Sequence, residues 1–212
     1  MQNYRTNNQI VKFSNNKIVG ITGLMGSGKS YISKLFENLG AVVYNSDKVA
    51  KHIQESNEAL KRVLIDKFGD NYYIDGHVNT QYVRSLIFGG TNESYANLKW
   101  ITDTVSKFGR EHFINFCNEH KDAPYILAES AILFETGLNK LCDLTINVKC
   151  DKAQDAAVLR DNIKPEDWQI RMNTQIPEDQ KVFDFVIYND YTDNVFKQVQ
   201  ETHIKIINGT RY

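Results

Sequence analysis

The chain has 212 residues, 42% of them apolar and 24% charged. At roughly 150 residues per domain this is one large domain or a core carrying insertions, with no need of disulfide or metal staples. Twenty-five Lys and Arg against 26 Asp and Glu leave a formal charge of -1, so no bulk field gathers nucleic acid or an anionic membrane, and any anion must be held by local geometry. Three cysteines, Cys117, Cys142 and Cys150, without CxxC spacing argue for a reducing compartment and against a zinc site.

In chain order, Met1 to Asn16 is polar and Asn-rich, which reads as a disordered leader on a cytoplasmic protein and not as a signal peptide. No apolar run approaches the roughly 18 to 20 residues that span a bilayer. Lys17 to Thr22 is a near-continuous β-branched run ending at a glycine-rich turn, the pattern of a strand buried on both faces of a parallel sheet. Ile32, Leu35, Phe36 and Leu39 then recur at helical spacing, and Gly40 stops that helix before a second strand at Ala41 to Tyr44. From about Ser46 to Ala123 the stripes are helical, for example Leu60, Val63, Leu64 and Phe68, and predict an all-α insertion. Strands resume at Tyr125 to Ala128, Leu144 to Lys149 and Phe185 to Tyr188, and a last helix carries Val195, Phe196, Val199, His203 and Ile206 on one stripe. The fold class is α/β, a parallel sheet of about five strands flanked by helices.

The strongest chemical signal is Gly23-Leu24-Met25-Gly26-Ser27-Gly28-Lys29-Ser30, a complete GxxxxGK[ST] between a buried strand and an amphipathic helix. Its glycines let successive N–H groups turn toward one anion at a helix N-terminus. Lys29 can then reach the β- and γ-phosphates, and the Ser30 hydroxyl can ligate the Mg²⁺ that bridges them. This predicts a nucleoside triphosphate site on a P-loop NTPase core. Guanine-reading and transport signatures do not accompany it: Asp66-Lys67-Phe68-Gly69 matches DxxG, but Gly69 ends a helical stripe and no NKxD follows. Asn45-Ser46-Asp47 comes directly after the second strand, at the same carboxyl edge of the sheet. Asp47 there is suited to take the proton of an attacking alcohol, and equally to cap the helix that starts at Lys48.

Together with Asp75-Gly76 followed by Arg84, Ile87 and Phe88, with Leu133-Phe134-Glu135-Thr136-Gly137-Leu138, with Arg160-Asp161, with Arg171 through Gln175, and with Lys181, Asp184 and Asn189, these motifs resemble the dephospho-coenzyme A kinases from about Lys17 to His203. The resemblance implies a P-loop core at 17–50, 124–151 and 179–212, a helical coenzyme-binding domain at 51–123, and a short helical lid at 152–178, behind a leader at 1–16. It implies transfer of the ATP γ-phosphate to the ribose 3'-hydroxyl of dephospho-coenzyme A, with Mg²⁺. Gly23, Gly26, Ser27, Gly28, Lys29, Ser30, Tyr31 and Asn189 would then bind ATP. Asp47 would be the catalytic aspartate, Lys29 and Arg160 would stabilise the transferring group, and Arg84, Glu135 and Asp47 would meet the acceptor. Ser30 would hold Mg²⁺, with Glu129 at the end of the third strand acting through water. Nucleic acid and membrane are not implied as partners. Two other readings stay open: a nucleoside monophosphate or other small-metabolite kinase with the same core, or a nucleotide-binding sensor of that fold without turnover.

Several positions depart from the family pattern. Asp103-Thr104 stands where His-Pro is usual, Ala131 replaces a proline, Thr80 and Ala156 replace arginines, and Glu129 replaces an aspartate. Losing cations lowers affinity for a phosphorylated ligand unless other Lys or Arg compensate. The five histidines, His52, His77, His112, His120 and His203, show no metal-ligand spacing. Trp100, Trp168, Tyr72, Tyr73, Tyr82 and Tyr95 fit core packing or the wall of a pocket.

Overall fold

The computed structural model describes residues 3–6, 9–12, 16–161, 164–192 and 194–209. The elements begin with β1 (Asn3–Thr6), β2 (Gln9–Lys12), β3 (Lys17–Gly23), α1 (Lys29–Asn38) and β4 (Val42–Asn45). There follow α2 (Ser46–Ser56), α3 (Glu58–Phe68), β5 (Tyr73–Ile74), β6 (His77–Val78), α4 (Thr80–Ile87) and α5 (Asn92–Glu119). The chain closes with β7 (Tyr125–Glu129), β8 (Leu144–Lys149), α6 (Ala153–Asp161), α7 (Pro165–Asn173), β9 (Phe185–Tyr188) and α8 (Asn194–Asn208). Two units emerge, Met1–Asn45 with Phe113–Tyr212, and Ser46–His112.

In the first unit the strands pair in the order β4-β7-β3-β8-β9, and every pairing is parallel. The central strand, β3, is apolar enough to be sandwiched: Ile18, Val19 and Ile21 are fully buried. One face of the sheet presents Val19, Ile21, Leu127, Ile146, Val148 and Ile187, and these pack with Ile32 and Phe36 of α1 and Val195, Val199 and Ile206 of α8. Each such side chain contributes roughly 1.5–3 kcal/mol on burial. At Gly20 a Cβ would lie 2.7 Å from Leu133 Cδ2 and 3.0 Å from Cys142 Sγ, so the bare backbone lets the connection after β7 close over the other face.

Two aspartates set strand register by the same device. Asp143, just before β8, accepts from Ile18 N–H through Oδ2 at 2.8 Å while its own N–H donates to Ile18 O at 2.8 Å. Asp184, just before β9, accepts from Thr145 N–H at 2.8 Å and donates to Thr145 O at 3.0 Å. Each carboxylate extends a ladder by one rung, and a one-residue slip would forfeit both bonds.

The segment read from its composition as a disordered leader carries a ribbon in its described part. β1 and β2 pair antiparallel from Asn3↔Lys12 to Thr6↔Gln9, where Tyr4, Thr6, Ile10 and Val11 supply β-formers that the Asn-rich count obscured. The division between units also differs from the expected 51–123. Phe113 and Phe116, late in α5, pack edge-on against Tyr44 of β4 at 4.8 and 5.1 Å between ring centroids, and so belong with the sheet.

The second unit is helical around Ile53, Leu60, Leu64, Tyr72 and Val105. Asn57 and Asn79 cap α3 and α4, accepting from Leu60 N–H at 3.0 Å and Tyr82 N–H at 3.1 Å. Phe68 stacks on Tyr72 and meets the edge of Trp100, so these rings are core. One feature interrupts the helices: β5 and β6 form a two-stranded ribbon whose turn, Asp75-Gly76, has φ of 51° and 82°. Two consecutive positive φ values make the tight hairpin turn that an Asp-Gly pair favours.

At the sheet edge away from the loops, the Tyr125 hydroxyl shares a 2.9 Å hydrogen bond with His203 Nδ1. Burial lowers the His203 pKa and raises that of Tyr125, so a neutral ring faces a phenol that keeps its proton. The stabilisation from a neutral His203 is fully present above the ordinary histidine value of about 6.5 and is lost as pH falls through the lower folded-state value. The urea midpoint is therefore expected to drop between about pH 7.5 and about pH 5.5, and to drop less in His203→Gln. Parallel curves for the two proteins would remove His203 from that dependence.

Candidate active site

The phosphate loop runs from the end of β3 to α1, and its backbone is fixed from behind. Gly26 has φ 89°, and a Cβ there would lie 1.9 Å from the carbonyl oxygen of Ala153 at the start of α6. Gly28, the N-cap of α1, has φ 87°, and its Cβ would meet Asn189 Nδ2 at 2.2 Å. Both positions need glycine twice, for the left-handed backbone and for the close approach. No side chain caps α1 and no acid lies in its first turn, which leaves the first N–H groups and the positive end of the helix dipole to the loop.

Lys29 is 8% exposed, and its Nζ donates to the carbonyls of Gly23 at 2.8 Å and Leu24 at 2.9 Å. Its charge is thus held inside the loop by the two residues that open it. Ser30 Oγ donates to Glu129 Oε1 at 2.6 Å, and Glu129 is buried at the carboxyl end of β7. The longer side chain at 129 spans the gap to the loop directly. A hydroxyl and a carboxylate oxygen side by side are the hard-oxygen donors that Mg²⁺ takes, so the residues present fit that ion. Ser27 Oγ is buried without a protein partner in the same loop. Tyr31, one residue on, is 58% exposed on α1.

Asn189 lies behind the phosphate loop. Its amide Nδ2 donates to Ser27 O at 2.9 Å and its N–H to Lys149 O at 2.8 Å, so it supports the loop through backbone contacts. Glu135 has partners within the protein. Its Oε1 accepts from Ile176 N–H at 2.8 Å and pairs with Lys181 Nζ at 3.0 Å, both partners of that ion pair being nearly buried. Through Oε1 it ties the segment after α7 to the turn after β7, while its Oε2 is buried without a hydrogen-bond partner.

Asp47 is exposed in the first turn of α2, which begins at Ser46, so it is not the cap of that helix. It follows two residues after Asn45, the register partner of Glu129. Arg84 is exposed on α4 in the second unit, with its guanidinium 5.3 Å from the Phe88 ring. Arg160 belongs to α6, and its side chain lies outside the described residues. Among the departures, Asp103 pairs with Lys99 at 2.6 Å on the surface of α5, a solvated i,i+4 pair of small energetic weight. The Ala131 carbonyl accepts from Gln175 Nε2 at 3.3 Å.

One contact escaped the sequence reading. Trp168 Nε1 donates to Met25 O at 3.2 Å, which fastens α7 to the phosphate loop. The available signal was a tryptophan on a short helix where Ile170 and Met172 are the other large apolar side chains, too few to make a core stripe.

A five-stranded parallel sheet with a phosphate loop after its central strand, and a helical pair between its last two strands, defines a P-loop kinase. A family model for dephospho-CoA kinase matches residues 17–194. A dephospho-CoA kinase of Pseudoalteromonas translucida is 31% identical over 178 residues, 82% of either chain. One of Bacteroides fragilis is 30% identical over 188 residues, covering 86% of this chain and 89% of the relative. The chain belongs to the dephospho-CoA kinase family, which are ATP-using phosphotransferases. The fold agrees with the crystal structure of TT1252 from Thermus thermophilus at a TM-score of 0.73, with 22% identity over 89% of this chain and 96% of that one. It also agrees with a dephospho-CoA kinase from Campylobacter jejuni at a TM-score of 0.57, with 16% identity over 92% and 98%. Among the described residues no helix is long and apolar enough to cross a membrane.

Gly26→Ala is expected to lower ATP affinity at least about 10-fold and to cost about 1–3 kcal/mol of stability, because methyl and carbonyl cannot share that space. Titration calorimetry and urea unfolding measure the two, and an unchanged affinity would show that the loop tolerates displacement from α6.

Proposed function

We propose that this protein transfers the γ-phosphate of ATP to the ribose 3'-hydroxyl of dephospho-coenzyme A in the cytoplasm, giving coenzyme A and ADP. The observation that carries the reading is the Ser30 hydroxyl lying 2.6 Å from the buried Glu129 carboxylate at the mouth of a loop whose lysine is held inside it. That arrangement, in a chain of this family, supports a phosphoryl-transfer centre. Mg²⁺ would be held by Ser30 Oγ and Glu129, and when bound it neutralises charge on the β- and γ-phosphates.

In this reading the loop N–H groups and Lys29 bind the phosphates and orient the γ-group. Asp47 accepts the proton of the 3'-hydroxyl as its oxygen attacks phosphorus and ADP leaves. The support for Asp47 is chemical and positional: an exposed carboxylate two residues beyond the strand residue paired with Glu129. Arg160 closes on the transferring group from α6, and Arg84 contacts the acceptor. Positioning and electrostatics do most of the catalysis, since the transfer itself needs little covalent help.

The deciding experiment is Mg²⁺-dependent ADP release with dephospho-coenzyme A, with AMP and with no acceptor, followed by product mass. One added phosphoryl group on dephospho-coenzyme A is the expected product, and ATP binding without any product would overturn the proposal in favour of a silent nucleotide-binding protein. Lys29→Ala is expected to abolish transfer. Asp47→Asn should keep ATP binding while losing about 10²–10⁴ in turnover, the usual weight of a general base. Wild-type turnover in Asp47→Asn would assign the proton to another group.

A further inference from the structure

Beside the phosphate loop, wholly within the first unit, lies a cleft of about 590 Å³, inside the range of roughly 300–1,000 Å³ typical of small-molecule sites. Its floor includes Thr22 and Asn147, which are direct register partners on β3 and β8. The neighbouring Ile21, Ile146 and Val148 belong to the cluster packed with α1 and α8, so alternation along the strands places Thr22 and Asn147 on the opposite face. Trp168, Met172, Ile176 and Phe183 also line the cleft, and it reaches Gly23 and Leu24, the first residues of the phosphate loop.

Asn147 is 4% exposed, and its Nδ2 is buried with no hydrogen-bond partner. A buried amide donor without an acceptor is costly and uncommon, and it marks a place where a ligand atom completes the site. The charges of the cleft limit which ligand. Lys149 pairs with Glu178 at 2.6 Å, and Lys181 pairs with Glu135 at 3.0 Å, so both lining lysines are already neutralised by carboxylates. Gln175 Nε2 is engaged by Ala131 O, and Gln169 Nε2 by Asn173 Oδ1. What remains is an apolar wall of Trp168, Met172, Ile176 and Phe183, one buried donor and the Asp151 carboxylate, a set that suits an uncharged chain of methylenes bearing amide carbonyls and repels a phosphate.

We propose that this cleft holds the amide-bearing pantetheine arm of the acceptor, with one amide carbonyl of the arm accepting from Asn147 Nδ2 and its methylenes lying on Trp168, Met172 and Ile176. The inference rests on the reading of the acceptor as dephospho-coenzyme A and adds where its long arm goes. Because the cleft ends at Gly23 and Leu24, an arm seated there points its nucleotide end along the phosphate loop.

The test uses the full chain and two variants, Asn147→Leu and Ile176→Arg. Ile176 is 36% exposed, so arginine there fills the cleft without entering the core, and it keeps the test open should Asn147→Leu fail to fold. Each variant is expected to raise KM for dephospho-coenzyme A about 10-fold or more, with KM for ATP within about twofold of wild type. In parallel, saturation-transfer NMR with free pantetheine should show binding to wild type and its loss in both variants. Unchanged KM for dephospho-coenzyme A in variants of an active enzyme would overturn the cleft assignment and leave the proposed reaction standing. If wild type makes no product from dephospho-coenzyme A, the reaction reading fails by itself. Pantetheine binding that both variants abolish then still supports the cleft as a site for an amide-bearing chain, and no pantetheine binding to wild type overturns it.

Discussion

The arrangement of this protein depends on backbone being pressed against backbone and side-chain amide at two points of the phosphate loop. Gly26 sits where any Cβ would collide with the carbonyl of Ala153, and Gly28 where it would collide with the Asn189 amide. The loop is therefore held between the start of α6 and the end of β9, which are distant in sequence and come together only because β8 and β9 extend the sheet on that side of β3. A loop held this way offers N–H groups that need no reorganisation when an anion arrives, which is the economical way to stabilise charge. The Trp168 indole adds a third tie at Met25, so the conformation of α7 is linked to that of the loop.

The sheet that supports those ties is registered by carboxylates as well as by apolar alternation. Asp143 and Asp184 each place one extra rung before a strand, on Ile18 and Thr145. The consequence reaches the site, because register decides which residues of β8 share a face. Fixing Asp143 against Ile18 sets β8 against β3 and so places Asn147 beside Thr22, and a slip by one would turn Asn147 toward α1 and α8. A polar strip on two central strands is costly in a core and sensible on the floor of a cleft.

Most of this architecture was legible in the sequence. The five strands, the phosphate loop and the helical insertion announced themselves through continuous apolar runs, a glycine-rich turn and 3.6-residue stripes, signals that tertiary context rarely overrides. The β5–β6 ribbon was hidden because two residues a side are too few to show alternation, although Asp75-Gly76 is a turn pair. The β1–β2 ribbon was masked by asparagine content. At the candidate site, the nearness of Ser30 and Glu129 followed from motif and strand end. The ties that Glu135 and Asn189 make were not legible, since a polar side chain that holds a loop and one that meets a ligand look alike until partners such as Ile176, Lys181 and Ser27 are known.

A chain with a formal charge of -1 must bind highly anionic ligands through geometry, and the structure divides that work unevenly. The phosphate loop uses backbone N–H groups and one enclosed lysine, elements that substitution elsewhere leaves untouched. Of the positions that depart from the family pattern, Thr80, Asp103, Thr104, Ala131 and Ala156 fall outside that loop, Asp103 in a surface pair with Lys99, whereas Glu129 accepts from the Ser30 hydroxyl at the end of the loop. Thr80 and Ala156 lie on α4 and α6, so the cations absent there are not among the groups that hold the lysine of the loop. A cleft whose own lysines are neutralised by Glu178 and Glu135 is consistent with that division. In the reading proposed for the cleft, affinity for the acceptor would rest more on the uncharged part of the molecule, where burial and a single amide hydrogen bond would do the recognising and ionic strength would have little effect.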